Sequence, residues 1–340
     1  MKAARVHEPG RIMIEEVSAP PLGEKDVLIK VHRVGICGTD VGVYRGHVPA
    51  KLPVTLGHEF SGTIARLGSP SLGGFREGDP VTACGGWGCG NCELCQKGMG
   101  LFCKHRVSLG RTADGCLAEL VKVDYRAVYR LPPNVSLEEG QNFVNVACAV
   151  RGFKKIPLPL GNTVAVFGPG NLGLIMLQLL KFAGTPQAVM VGTRDFRLEM
   201  AKTFGATHVV NGKREDPTRA ILGWYPDGVD VVIEATGNAS CFQSCCDVMK
   251  AKGTLISFGI FAEKVKEFDP SFLYYKEPVI YGSKGGEGGF EEALHLLEEK
   301  RLNITPMITH RFPLEETAKG FKTFEDKNEN SLRILVEPCR

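Results

Sequence analysis

Cys89, Cys92, Cys95 and Cys103 fall at C-x2-C-x2-C-x7-C within GGWGCGNCELCQKGMGLFCKH. Thiolates so closely spaced can converge on one tetrahedral zinc, because the short turns between them bring four sulfurs to a point. A ferredoxin-type iron–sulfur run would carry three residues before its fourth cysteine and a proline after it; here seven intervene and Lys104 follows. Four sulfurs close the coordination sphere and leave no position for a substrate, so this centre is expected to be structural. Two other segments carry the ingredients of a different centre. Cys37 in GICGTD and His58-Glu59 in LGHEFSG end strand-like runs. Cysteine, histidine and carboxylate with one position left open are the donors of a catalytic zinc. Such a metal would acidify a bound alcohol, whose carbon could then release hydride to a nicotinamide. A single core Cys or His is more often structural, and only the company these residues keep points to chemistry.

That company includes Gly168-Pro169-Gly170-Asn171-Leu172-Gly173, a G-x-G-x-x-G run between an apolar strand-like segment and an apolar helical one. In that context the glycines let the backbone approach a pyrophosphate, and the helix N-terminus supplies unpaired N–H groups and positive dipole. Dinucleotide sites selective for NAD place an acid at the end of the next strand, where it accepts from the ribose 2′-hydroxyl. Here QAVMV is followed by Gly192-Thr193-Arg194 and only then by Asp195. A guanidinium in place of the acid suits a 2′-phosphate, so NADP is favoured over NAD; a small shift of register would instead bring Asp195 to the ribose, as an NAD site needs.

Positioning these groups requires two kinds of scaffold. Residues 1–150 read as short period-2 strands broken by glycine, such as DVLIKVHRVGICG and FSGTIARLG, with no long amphipathic helix. From about residue 155, NTVAVFG, NLGLIMLQLLKFAG, QAVMVG, RLEMAKTFGA, HVVN, VDVVIEA, SCFQSCCDVMKA and GTLISFG alternate strand and helix. Alternation at this length predicts right-handed βαβ units and a doubly wound parallel sheet. The expected fold class is α/β, with a β-rich catalytic (zinc) domain over 1–150 and 286–340 and a Rossmann dinucleotide-binding domain over 151–285. With 340 residues, two domains are the default. A net charge of +3 with dispersed Lys and Arg gives no footprint for nucleic acid or a membrane surface. No apolar run reaches spanning length, and the N-terminal segment alternates like a strand rather than a signal peptide. Twelve cysteines in such a chain suit a reducing compartment, so the cytoplasm is expected. Cys84, Cys116, Cys241, Cys245, Cys246 and Cys339 lack ligand spacing and read as buried filler.

GICGTD, GHE, the spaced cysteines and GPGNLG, in this order, resemble the zinc-dependent medium-chain dehydrogenase/reductase family over essentially the whole chain, including VDVVIEATG, GTLISFG and ITHRFPL. In length the chain is most similar to the sorbitol, threonine and sugar-alcohol dehydrogenase branch. The resemblance implies a GroES-like catalytic domain and one catalytic and one structural zinc per subunit. Cys37 and His58 would hold the catalytic ion, with Glu59 a direct or exchanging ligand. It places Thr39 where a hydroxyl receives the substrate proton, Asn171 and Leu172 at the pyrophosphate, and Arg333 where a basic residue reaches the same phosphates. It matches Gly192, Thr193 and Arg194 to the Gly-Ser-Arg of NADP-using members. It also implies a homodimer or homotetramer, with YYKEPVIYGSKGG as a candidate edge strand at the contact.

The chain departs from the family in two places. A further zinc ligand usually precedes the cofactor domain, yet GQNFVNVACAVRGF holds no acid. Cys148 is its strong ligand type, Val144 stands nearest the aligned position and Asn145 is a third option, while Glu59 or water could complete the sphere instead. Gly42 occupies the position where many members end their proton relay with histidine, leaving His47 and Tyr44 as neighbours in sequence. The activity implied is reversible oxidation of a secondary hydroxyl on a polyol, sugar or related small polar alcohol. The alternatives are a simple primary or secondary alcohol dehydrogenase and a catalytically inert nucleotide-binding sensor or structural subunit.

Overall fold

Valine and isoleucine at alternate positions bury one face of the strand Asp26–Gly35, with Val27, Ile29 and Val31 fully covered, while Lys30 stays exposed. This strand is the hub of a seven-stranded sheet in the computed structural model, which describes residues 1–157, 161–261, 263–266 and 268–339. One side of the hub pairs antiparallel with Phe60–Leu67, which continues to Pro80–Ala83 and Val128–Arg130. The other side receives the chain's last strand, Arg333–Glu337, with Val336 opposite Val34 and Leu335 opposite Gly35. Residues three hundred or more positions apart in sequence therefore share a ladder. The first unit comprises Met1–Ala147 and Phe290–Arg340, the second Cys148–Gly289, against the expected divisions at 150/151 and 285/286.

The second unit is a six-stranded parallel sheet in the order His208–Asn211, Gln187–Gly192, Thr163–Phe167, Val229–Glu234, Met249–Ser257 and Val279–Gly282. Its first strand lies in the middle and the order reverses between Thr163–Phe167 and Val229–Glu234, the topological switch of a Rossmann sheet. Strands buried on both faces explain why VAVF and VVI read as unbroken apolar runs. The fold is the expected α/β combination of a GroES-like lobe and a doubly wound sheet.

Three local readings differ from the structure. GQNFVNVACAVRGF forms an eleven-residue helix, Phe143–Phe153, that crosses the boundary between the units. Its residues are buried or half-buried throughout, so the sequence offers no polar stripe to mark it. The helix Ala239–Asp247 stops before Met249, whose segment joins the next strand. In YYKEPVIYG the tyrosines end the short helix Ser271–Lys276, and the edge strand is confined to Val279–Gly282.

Candidate functional site

The hub strand ends at Gly35, and Cys37 caps the helix Gly38–Tyr44 that follows. Asp40, in that helix's first turn, turns back so that Oδ2 accepts from the Cys37 N–H at 3.0 Å. Its other oxygen accepts from the Gly57 N–H at 3.1 Å and faces His58 Nδ1 at 3.1 Å. A carboxylate oxygen there accepts from Nδ1–H, which leaves Nε2 as the ring nitrogen turned towards Glu59. The Cys37 sulfur, a His58 ring nitrogen and a Glu59 carboxylate oxygen lie within 4.8 Å of one another. Nε2 of His58 stands 3.7 Å from Glu59 Oε1.

The three donors set one another's protonation. Burial, and then the Glu59 charge, push the Cys37 thiol up. Burial alone would lower His58, yet Asp40 and Cys37 outweigh it and hold the imidazole well above its ordinary value. Burial would likewise raise Glu59, but the Arg333 guanidinium outweighs it and holds the carboxyl below its ordinary range. Asn145, half-buried, approaches the same carboxylate, and its Nδ2 is a buried donor without a regular hydrogen-bond partner. A thiol, an imidazole and a carboxylate converging in a buried site fit a divalent zinc, which would displace the Nε2 proton and deprotonate the coordinating thiol. Cys148 lies in the second unit and outside this group of three donors.

Arg333, expected at the cofactor phosphates, is 2% exposed and occupied within the first unit. Nη1 donates to Glu59, Nε donates to Gln141 Oε1 at 2.9 Å, and Nη2 donates to the same amide. A buried carboxylate needs such a counter-charge. Gly35 makes room for it: a Cβ there would lie 1.8 Å from Nη2 of Arg333. Gly42, where relatives often have histidine, is packed under Val48, whose Cγ2 would stand 2.6 Å from an added Cβ. Tyr44 donates to the Gly10 carbonyl at 2.9 Å and His47 is exposed. Thr39 is half-buried in the first turn after Cys37.

The four-cysteine segment holds its sulfurs at 3.5 Å for Cys92–Cys95, 3.7 Å for Cys92–Cys103 and 4.0 Å for Cys89–Cys95. A tetrahedron with arms of 2.3 Å has an edge of about 3.8 Å, so the spacing fits zinc. The backbone N–H groups of Cys89 and His105 donate to the Cys103 sulfur at 3.5 and 3.3 Å. Gly88 permits the fold to close, since a Cβ there would meet Cys95 Sγ at 2.5 Å.

In the second unit the three glycines of GPGNLG have three separate reasons. Gly168 sits at φ +106°, a conformation that side chains disfavour. Gly173 packs its Cα against the turn, where a Cβ would stand 2.0 Å from the Gly168 carbonyl oxygen. Around Gly170 nothing lies within 4 Å, leaving open the space a pyrophosphate would need. Gly170 caps the twelve-residue helix Asn171–Phe182 without a side-chain hydrogen bond of its own, so the first turn of that helix, which begins at Asn171 and Leu172, points its N–H end at this open space. Gly192 closes on the same turn: a Cβ there would strike Pro169 at 2.4 Å. Thr193 is exposed beyond it and Arg194 caps the helix Asp195–Thr203.

Sequence reading missed Asp40, Gln141 and Glu234. The last is fully buried at the end of its strand and accepts from the N–H groups of Thr236, Gly237 and Gly259 at 2.7, 2.9 and 3.2 Å. It thereby ties together the turns that follow two neighbouring strands at the carboxyl end of the sheet. The acid in GTD and the one in IEATG were the available signals, since each charge stands in an otherwise apolar or glycine-rich run.

Residues 23–133 match the family model described as "Alcohol dehydrogenase GroES-like domain", and residues 171–299 that described as "Zinc-binding dehydrogenase". The chain is 32% identical over 337 residues to a sorbitol dehydrogenase of Halalkalibacterium halodurans, covering 98% of this chain and 97% of the other. It is 31% identical over 347 residues to D-arabitol-phosphate dehydrogenase of Enterococcus avium, covering 99% and 97%. Among solved structures, a protein assigned as a zinc-binding dehydrogenase from Sinorhizobium meliloti 1021, bound to NADP, is similar with a TM-score of 0.93 at 31% identity, covering 99% of each chain. With both of its units matched, the chain belongs to the zinc-dependent medium-chain dehydrogenase family.

Proposed function

We propose that this chain reversibly oxidises a secondary hydroxyl on a polyol, sugar or related small polar alcohol, with NADP favoured over NAD as hydride acceptor. The observation that carries the reading is the convergence of Cys37, His58 and Glu59 within 4.8 Å, in a chain that also holds the three-glycine phosphate turn. Similarity to sorbitol and D-arabitol-phosphate dehydrogenases supports the polyol class. So does similarity to the structure of 2R,3R-butanediol dehydrogenase from Bacillus subtilis, at TM-score 0.90 and 28% identity.

Zinc at Cys37, His58 and Glu59 would polarise and acidify the alcohol oxygen, and the nicotinamide would take the hydride. The chain's own residues do the rest. Asp40 fixes the His58 ring by its Nδ1 proton and presents Nε2. Glu59 is the donor assigned to complete the set in place of Cys148, and Arg333 and Gln141 orient it. Thr39 receives the substrate proton. Gly168, Gly170 and Gly173, with the N–H groups at Asn171 and Leu172, bind the pyrophosphate, while Gly192, Thr193 and Arg194 take the adenosine ribose and its phosphate. Cys89, Cys92, Cys95 and Cys103 hold a structural zinc.

A second copy of the chain is the proposed partner. Every residue of Val279–Gly282 is exposed, and among the described residues this strand ends the sheet; Tyr274 and Tyr275, just before it in sequence, are 81% and 77% exposed. The proposed compartment is the cytoplasm, which keeps its twelve free cysteines reduced. Among the described residues no helix is long and apolar enough to cross a membrane.

The test is a substrate panel of polyols, sugars and short aliphatic alcohols, run with NADP and with NAD on the parent and on Cys37→Ser. Turnover of polyols that Cys37→Ser loses by more than about a thousandfold, with cofactor binding retained, is the expected result. Turnover of short aliphatic alcohols alone would remove the polyol assignment. Full activity in Cys37→Ser would remove the metal centre.

A further inference from the structure

The acid that clouds the choice between NAD and NADP is Asp195, one residue beyond Arg194 and the first residue of its helix. A carboxylate that selects NAD must offer its oxygens to ribose hydroxyls. Both oxygens of Asp195 are already engaged. Oδ1 accepts from Asn211 Nδ2 at 2.7 Å, and Oδ2 is paired with Nη2 of Arg214.

The segment carrying these partners is shaped to bring them there. Asn211 lies opposite Gly192 in the parallel ladder, and the Gly212 N–H donates to the Gly192 carbonyl at 2.8 Å. Beyond it the chain turns tightly, with the Arg214 and Glu215 N–H groups both donating to the Asn211 carbonyl, at 2.8 and 3.2 Å. The Lys213 N–H donates to Asn211 Oδ1 at 3.0 Å. This turn folds the Arg214 side chain back over the start of the neighbouring helix. Asp195 and Arg214 are 53% and 70% exposed, so their pairing adds little stability in water. What it fixes is position: a guanidinium held at the end of the strand whose terminus reads the adenosine ribose.

Positive charge is already concentrated there. Arg197, in the first turn of the same helix, is drawn down to about 10 by burial and by the charge of Arg194. A dianion is the ligand that relieves such crowding.

Resting on the NADP reading above, we infer that Asp195 is a masked acid: clasped by Arg214 and Asn211, it is withdrawn from the ribose and instead holds Arg214 as a further specificity-determining cation for the 2′-phosphate. The clasp both disables an NAD-selecting group and adds an NADP-selecting one.

The experiment measures dissociation constants of NADPH and NADH by fluorescence titration on the full chain, for the parent, Arg214→Met, Asp195→Asn and Arg194→Gln. The parent should bind NADPH more tightly. Arg214→Met should weaken NADPH tenfold or more and leave NADH within threefold or tighten it, because the acid is unmasked; retained NADH binding also reports an intact fold. Asp195→Asn should weaken NADPH severalfold without tightening NADH. A parent that prefers NADH would overturn the NADP reading and this inference together. A parent that prefers NADPH through Arg194, with Arg214→Met changing both cofactors equally or neither, would overturn the clasp alone.

Discussion

Asp40 carries three hydrogen-bonding tasks with two oxygens: it holds the Cys37 backbone, the Gly57 backbone and the His58 ring. The two segments that supply the candidate zinc ligands are thus tied to each other before any metal arrives. Replacing Asp40 by Asn turns one of its two acceptors into an NH2 donor, which must oppose either the Cys37 N–H or the Gly57 N–H and His58 Nδ1–H pair, and removes the charge behind the imidazole, so the clamp on the two ligand segments loosens. Asp40→Asn should weaken zinc at Cys37, His58 and Glu59 by roughly ten- to a hundredfold while leaving the four-cysteine ion in place. Zinc content measured after dialysis against graded chelator would drop towards half of the parent's. Retention of both ions would remove Asp40 from this role. Arg333 stands behind the third ligand of the same cluster. Its charge goes to a buried Glu59, because an unpaired carboxylate in that setting would cost about 3–5 kcal/mol.

At the scale of elements, the Rossmann sheet is pinned at the end opposite the glycine turn. Asp230 Oδ2 accepts from the N–H and hydroxyl of Thr163 at 2.7 and 2.8 Å, and Oδ1 accepts from Lys250 at 2.9 Å. One carboxylate therefore registers three adjacent strands, including the one that delivers GPGNLG. Burial would raise its pKa, but the Thr163 hydrogen bonds and Lys250 outweigh it and hold it below the ordinary 3.8. A depressed carboxylate contributes stability above its unfolded pKa and loses it as pH falls through the folded value. Asp230→Asn should cost about 1–2 kcal/mol at pH 7, and the gap from the parent should close as pH is taken from about 5 to below 3.8. Parallel urea unfolding of the two proteins across that range checks it, and a gap that stays constant with pH would show that the charge is not what binds the strands.

For the whole molecule, the edge strand Val279–Gly282 is an apolar surface that a second copy could cover. Val279, Ile280 and Tyr281 are 40–42% exposed, and among the described residues no strand pairs with their outer side. An isologous pairing of two such edges would extend the sheet and cover both apolar rows. Ile280→Lys places a charge where the two copies would meet. The parent should sediment as a dimer or larger even assembly and Ile280→Lys as a smaller species with unchanged circular dichroism. An unchanged assembly in the variant would move the contact elsewhere.

The four-cysteine spacing, the glycine turn and the strand–helix alternation were legible in the chain because each is short-range. Turn geometry sets which neighbours converge, and burial on both faces writes itself as unbroken apolar runs. The helix Phe143–Phe153 escaped notice because a helix covered on nearly every side leaves no polar stripe. The tertiary structure alone decided which long-range partner each charged group takes. Arg333 reaches Glu59 across 274 residues, His58 meets Asp40 across 18, and Asp195 meets Arg214 across 19. It also explained Gly35 and Gly42, each kept small by a side chain arriving from elsewhere. Such pairings leave no period or spacing in the sequence, since the distance between partners is set by how the strands are ordered and not by the number of residues between them.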